Sequence, residues 1–410
     1  MVNVARSWLE GRPPEGPDPS VDPAAFGSAV RHNRLAPLMH LHLGGLTAGR
    51  EWDRVLDSFR TAYQKQLIHA ARQRAAATEL IGRLEEAGIP CIGLRGVFAA
   101  EDLYGDMAAR HFTDIDLLVP PDQRRAALAV ARAAGYSLWN PLLPERFYER
   151  HHLHWPLMRG KPDVVCDLHW ALDHPYRLLT IDYTAIFRTS STDGSNGWRR
   201  PSSEHLLLIN CIHLLKHCRG AVAVVTADDN AGSMVRNGWL LHWLDIAAIL
   251  RRFGGELNWD RILETATEWR CEEGLAAGVL GAVRVLGAQI PSAALAQVTA
   301  LAAATAESPV RGPSPRWVRK LAELGGFRSI CLGDAWRFIL PERSYFVKGQ
   351  AGMPDLLLRR ALHALKAATT LVAAAAETVA LGIWIPLRRR FGRETSPSVY
   401  SLIRAIESDK

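Results

Sequence analysis

Asp114 and Asp116 stand two apart in the run Asp114-Ile115-Asp116-Leu117-Leu118-Val119, and Asp167 stands two before His169 in a second apolar run. In a β-strand alternate side chains share a face, so the first two carboxylates project one way while Ile115 and Leu117 enter the opposite, apolar side. Two carboxylates at that spacing repel each other. In an otherwise hydrophobic strand a cation relieves the cost, and hard oxygen donors favour Mg2+ or Mn2+. In the second run Asp163, Val165, Asp167 and His169 alternate on one face, so Asp167 can stand as a third carboxylate beside the first two. Three carboxylates around two such ions are the working part of sites that move phosphoryl groups.

These acids need neighbours to hold an anion, and the chain supplies them upstream. The apolar run 89–94 predicts a buried strand that ends at Gly96, at the mouth of a helix running to about 104. Backbone N–H groups and the dipole at such a helix start can hold a triphosphate. Arg95, beside Gly96, is a candidate phosphate ligand, and for Arg110 the structural reading is an ion pair with a nearby carboxylate.

The elements that must position this face read as follows. Helical spacing over 24–46 and an apolar stripe over 52–87 predict a helical N-terminal segment, residues 1–88, with Gly88 as its stop. Residues 89–188 mix strands with helices: a strand at 114–119, a helix at 123–134 ending at Gly135, and a hairpin from 151–157 and 163–169 around Arg159-Gly160-Lys161-Pro162. That intermixing predicts an α+β core with a small mixed sheet. A Ser, Thr, Gly and Asn-rich linker over 189–203 leads to helices over 204–219, 238–253, 259–287 and 293–306, a region placed to close over the site. A break at 308–315 precedes a C-terminal helical region, 316–390.

At this point the chain resembles the uncharacterised nucleotidyltransferase family of the DNA-polymerase-β-like superfamily. The resemblance rests on Leu94-Arg95-Gly96, Tyr104, Arg110 and Asp114-Ile115-Asp116-Leu117-Leu118-Val119. It extends upstream to His32-Asn33-Arg34-Leu35-Ala36-Pro37-Leu38, and downstream to Asp167-Leu168-His169-Trp170, Glu204-His205-Leu206-Leu207, His213, Lys216-His217 and Asp245-Ile246-Ala247. Residues 28–250 carry it; one departure is Arg95, where the family's usual residue is lysine. The resemblance implies a sheet of the polymerase-β nucleotidyltransferase type and transfer of a nucleoside monophosphate from an NTP, ATP among them, with pyrophosphate leaving. It further implies that Asp114 and Asp116 bind two Mg2+ or Mn2+ ions, with Asp167 completing the acceptor-side ion, and that Arg95, Gly96 and Arg110 contact the nucleotide. The acceptor is a hydroxyl or phosphate on a small molecule, saccharide, peptide or protein. The alternative is a catalytically weak nucleotide-binding member acting as a regulatory or assembly partner, which the Arg95 exchange favours because a fixed fork replaces a mobile point charge.

Composition narrows the partners. With 49 Lys and Arg interleaved with 42 Asp and Glu, the net charge of +7 forms no basic block, so nucleic acid ranks below the other acceptors. A hydrophobic content of 48% over 410 residues predicts two or three packed units. The six cysteines form no CxxC pair and read as reduced core residues; with no basic start and apolar run over 1–10, this predicts a cytoplasmic protein.

The remaining histidines read as structural. His151, His152 and His154 are expected to be satisfied or partly exposed rather than ligands. His213 and His217 have the spacing of two zinc ligands, with Cys211 and Cys218 nearby, yet the cysteines lie on different parts of the helix surface. A core or substrate-lining role is expected there. The apolar run 367–387 approaches a membrane span, but Glu377 sits at its middle, so a packed helix is expected first, a membrane-surface helix second, and no transmembrane segment.

Overall fold

Capping chemistry sets where the first helices start and stop in the computed structural model. After α1, Val2–Leu9, the Asp22 carboxylate accepts from the Ala25 N–H and Pro23 opens α2, Pro23–His32. The helical spacing of 24–46 is not continuous: Arg34 takes a φ of 60°, and the chain restarts as α3, Ala36–Leu43. Asn33 stands at the break, and its side chain bonds three helices at once. Its Nδ2 donates to the Ala29 and Val235 carbonyls (3.0 and 2.9 Å), and its Oδ1 accepts from the Leu240 N–H (3.1 Å). The stripe over 52–87 forms α4, Arg50–Glu86, which buries Phe59, Ala70, Ala77, Leu80 and Leu84.

The structure describes residues 1–306 apart from 15, 17, 19, 47–48, 140–144, 146–147, 150–151, 161–163, 174–178, 193–196, 219–224 and 226–229. His151, Asp163, the expected C-terminal region 316–390 and the run 367–387 lie outside the described residues. Among the described residues no helix is long and apolar enough to cross a membrane. The chain divides into two units. In one, formed by 140–153, 174–176 and 307–410, the His152 N–H donates to the Tyr148 carbonyl (2.8 Å). All elements named here belong to the other, formed by 1–139, 154–173 and 177–306.

Its sheet is mixed and five-stranded, in the order β1-β2-β5-β4-β3. The strands are β1, Ile92–Gly93, β2, Ile115–Leu118, β3, Ser137–Leu138, β4, His154–Arg159, and β5, Val164–His169. Between them lie α5, Val97–Tyr104, and α6, Arg124–Ala133, the latter followed by Gly135 at a φ of 86°. The expected hairpin is β4 and β5, antiparallel, with His154 opposite His169. Strand β2 runs parallel to β5, and Asp116 faces Asp167 directly across that pair. The short β3 carries too few alternating residues to stand out in the sequence.

The helical region follows: α7, Tyr183–Thr189, α8, Ser203–His217, α9, Asn230–Arg236, α10, Leu240–Phe253, α11, Trp259–Trp269, α12, Glu272–Leu286, and α13, Ser292–Ala306. The helical pattern over 259–287 is two helices rather than one, because Arg270 enters the left-handed region (φ 58°) and ends α11. Helix α12 packs on α8 and α10 through glycines. A Cβ at Gly278 would meet Cys211 Sγ at 2.6 Å and Ile246 Cδ1 at 2.8 Å, and one at Gly281 would lie inside the Trp243 indole. The indole Nε1 donates to the Ala277 carbonyl (2.8 Å), so Trp243 has no room to retreat.

Gly281→Ala therefore sets two effects against each other. Alanine gains about 1 kcal/mol of helix propensity, while forcing Trp243 aside costs about 1–3 kcal/mol and its hydrogen bond. We expect net destabilisation of about 1–2 kcal/mol in urea unfolding; a variant as stable as the wild type would show that these helices separate freely.

Candidate active site

The acids reach one place because backbone and side-chain bonds tie three separate segments together. Leu94 donates its N–H to the Asp116 carbonyl (3.1 Å), joining the end of β1 to β2. Gly96 has a φ of 63°, and a Cβ there would lie 3.3 Å from the Asp114 carbonyl, so the Leu94-Arg95-Gly96 turn lies against the acid strand only with glycine at its corner. From the other side α4 grips the approach to Asp114. Gln66 Nε2 donates to the Phe112 carbonyl (3.4 Å) and Gln73 Nε2 to the Thr113 carbonyl (3.3 Å).

Asp114, Asp116 and Asp167 each present an oxygen within 4.8 Å of the others. Arg95 points its Nη2 and Nε at Asp116 Oδ2 (3.2 and 3.4 Å), and both side chains are largely buried, 8% and 13% exposed. His169 Nε2 lies 3.0 Å from the other oxygen, Asp116 Oδ1, and His154 Nε2 lies 3.4 Å from Asp167 Oδ2. Six polar side chains thus gather at this sheet face.

Their electrostatics diverge. Burial, and then Asp116, push the Asp114 carboxyl up to about 6. Burial also raises Asp167 well above the usual carboxylate range, with both neighbouring acids adding to it. At Asp116 burial acts in the same sense, but Arg95 and the His169 hydrogen bond outweigh it and hold the carboxyl well below that range. One acid of the three is held toward its ionised form and two are pushed toward their neutral forms, the response of crowded, buried carboxylates.

Lys216, from α8, faces the same group. Burial and Arg95 push its amine down to about 8, while Asp116, Asp173 and Asp167 pull it up. Lys216 and His169 stood in the sequence without a role assigned to them. His169 was readable as co-facial with Asp167 from the two-residue spacing, but its contact with Asp116 depends on the β2–β5 register, which no local pattern encodes.

Arg110 stands apart from this face in its hydrogen bonds. Its Nε and Nη2 donate to Asp245 Oδ1 and Oδ2 (2.7 Å each), its Nη1 to the His111 carbonyl (3.1 Å), and Tyr104 Oη donates to Asp245 Oδ1 (2.6 Å). The geometry realises the structural alternative for Arg110: a buried, bidentate ion pair that fixes the loop before Asp114 to α10. His213 and His217 contact each other and His242 through their rings (centroids 4.4 to 5.2 Å apart), and among the described residues they join no group with metal-ligand geometry.

Two outcomes follow. Asp245→Asn leaves a buried guanidinium short of its counter-charge, so we expect a loss of about 3–5 kcal/mol in chemical unfolding; a loss below about 1 kcal/mol would place the pair in water. Asp114 has a folded-state pKa above its unfolded value of 3.8. It contributes stability below pH 3.8 that is lost as pH rises through about 6. Without added metal, the wild type should lose melting temperature relative to Asp114→Asn across that window, and parallel curves would contradict the raised carboxyl.

A family model described as an uncharacterised nucleotidyltransferase matches residues 19–287. Comparison with curated proteins and with solved structures gave no match.

Proposed function

The chain belongs to this uncharacterised nucleotidyltransferase family, and on that premise we propose that it transfers a nucleoside monophosphate from an NTP to a hydroxyl or phosphate acceptor. The observation that carries this is the convergence of three carboxylate oxygens within 4.8 Å on one sheet face, beside a glycine-cornered turn at a helix start. Burial and crowding push two of the acids toward their neutral forms, a cost that a bound cation would relieve.

Asp114 and Asp116 would hold two Mg2+ or Mn2+ ions, and Asp167 would complete the acceptor-side one. Bound there, such ions supply charge neutralisation on the transferring phosphoryl group and acidify the acceptor hydroxyl. The chain's own residues do the rest. Arg95 and Lys216 neutralise phosphate oxygens, and the backbone at Gly96, opening α5, orients the triphosphate. The acceptor oxygen bonds to the α-phosphorus while the bond to the pyrophosphate oxygen breaks, so alignment and charge placement account for the rate. Arg110 serves at a distance, by fixing the segment that presents Asp114.

One observation favours a second reading, that of a weakly catalytic nucleotide-binding partner: Arg95 already pairs with Asp116 Oδ2, so it shares that carboxylate with any metal ion held there. Purified protein incubated with each labelled NTP, Mg2+ or Mn2+ and a cell extract separates the two. On the enzyme reading label enters an acceptor, Asp116→Asn lowers transfer by about a hundredfold or more, and the variant loses the thermal stabilisation given by metal with NTP. On the other, label transfer is absent in wild type while metal-dependent NTP binding persists. Wild type without metal-dependent NTP binding would sink both.

A further inference from the structure

His154, Asp167 and His169 each offer one ligand atom, and the three atoms lie within 4.8 Å of one another. We propose that they form a mixed nitrogen and oxygen site for a borderline divalent cation of the Mn2+, Co2+ or Zn2+ class, beside the all-carboxylate position of Asp114 and Asp116. This rests on the reading of the sheet face as a metal centre, and specifies that its two positions differ in chemistry.

The backbone sets the site up. In the antiparallel β4–β5 pair His154 lies opposite His169, and the parallel β2–β5 pair puts Asp116 opposite Asp167. His169 and Asp167 are two apart on one strand and so share its face. The imidazoles come close, with ring centroids 4.7 Å apart.

A separate observation supports ligation of His169 through Nε2. Nε2 faces the carboxylates, 3.0 Å from Asp116 Oδ1. With an ion on Nε2 the ring's proton would sit on Nδ1, 3.2 Å from the Ala171 carbonyl, which can accept it. A backbone carbonyl holding one imidazole nitrogen while the other faces the ion is the usual support of a metal-bound histidine. One separation fits shared ligation too. Two donors about 2.1 Å from one ion are about 3.0 Å apart at a right angle and about 3.4 Å apart at the tetrahedral angle. Within the proposed set, His154 Nε2 to Asp167 Oδ2 is 3.4 Å. Imidazole nitrogen suits manganese, cobalt and zinc, whereas magnesium keeps to oxygen. The alternative is an ordinary charge-assisted hydrogen bond from His169 to Asp116, with no nitrogen ever reaching an ion.

Pulsed electron paramagnetic resonance on the full chain loaded with Mn2+ distinguishes them. We expect nitrogen modulation from directly bound imidazole in wild type, reduced in His154→Gln and in His169→Gln. Each variant should also bind Mn2+ about tenfold or more weakly in calorimetry, while Asp114→Asn keeps the nitrogen signal. The wild-type spectrum needs no variant to fold, so it decides by itself. Mn2+ bound without nitrogen modulation overturns this inference and leaves the carboxylate reading standing; no Mn2+ binding at all overturns the carboxylate reading with it.

Discussion

Repulsion among Asp114, Asp116 and Asp167 is the constraint around which the rest of this unit is arranged. Their oxygens lie within 4.8 Å of one another in a setting that excludes most water, where like charges interact several times more strongly than at a surface. Such a face does not assemble because it is favourable. It assembles because the surrounding bonds over-determine it: β2 is pinned to β5 by register, to the Leu94-Arg95-Gly96 turn by the Leu94 N–H, and to α4 through the segment Gln66 and Gln73 hold. The stability lost at the acids is offset by core packing elsewhere, much of it in α8, α10 and α12.

Two buried polar residues tie the helical region to earlier segments of the chain. Asn33, at the end of α2, bonds to Val235 and Leu240, and Asp245 accepts from Tyr104 and Arg110, which precede Asp114. Both are buried, 0% and 3% exposed, and fully engaged polar groups of this kind fix orientation more than they add stability. Of the scattered residues by which the chain resembles its family, Tyr104, Arg110 and Asp245 therefore meet in one joint, and Asn33 forms another between α2 and the later helices.

The sequence made the acid strand, the hairpin, α4 and most later helices legible, because a two-residue alternation and a three-to-four-residue apolar repeat are local signals. What it did not reveal depends on register and packing. Pairing of Asp116 with Asp167, the place of His169 beside them, and the engagement of Arg110 by Asp245 each join residues far apart in the chain. The breaks at Arg34 and Arg270 were hidden for another reason: both are non-glycine residues in the left-handed region, a conformation that side-chain type does not announce. The candidate zinc pair His213 and His217 shows the converse, a local spacing with no convergent ligand geometry among the described residues.

Arg95 follows from the same electrostatics. Asp116 has one oxygen engaged by Arg95 and the other by His169, so without a metal ion this carboxylate is already saturated by the protein. A divalent ion carries twice the charge of a guanidinium, so on the proposed reading an ion held by Asp116 would weaken the Arg95 pair. Arg95 would then have donors for a phosphate at the glycine-cornered turn. A lysine there could perform the same exchange with a single mobile charge. An arginine does it with a planar fork whose two nitrogens converge on one oxygen, which ties release from the acid to capture of a second anion of similar shape.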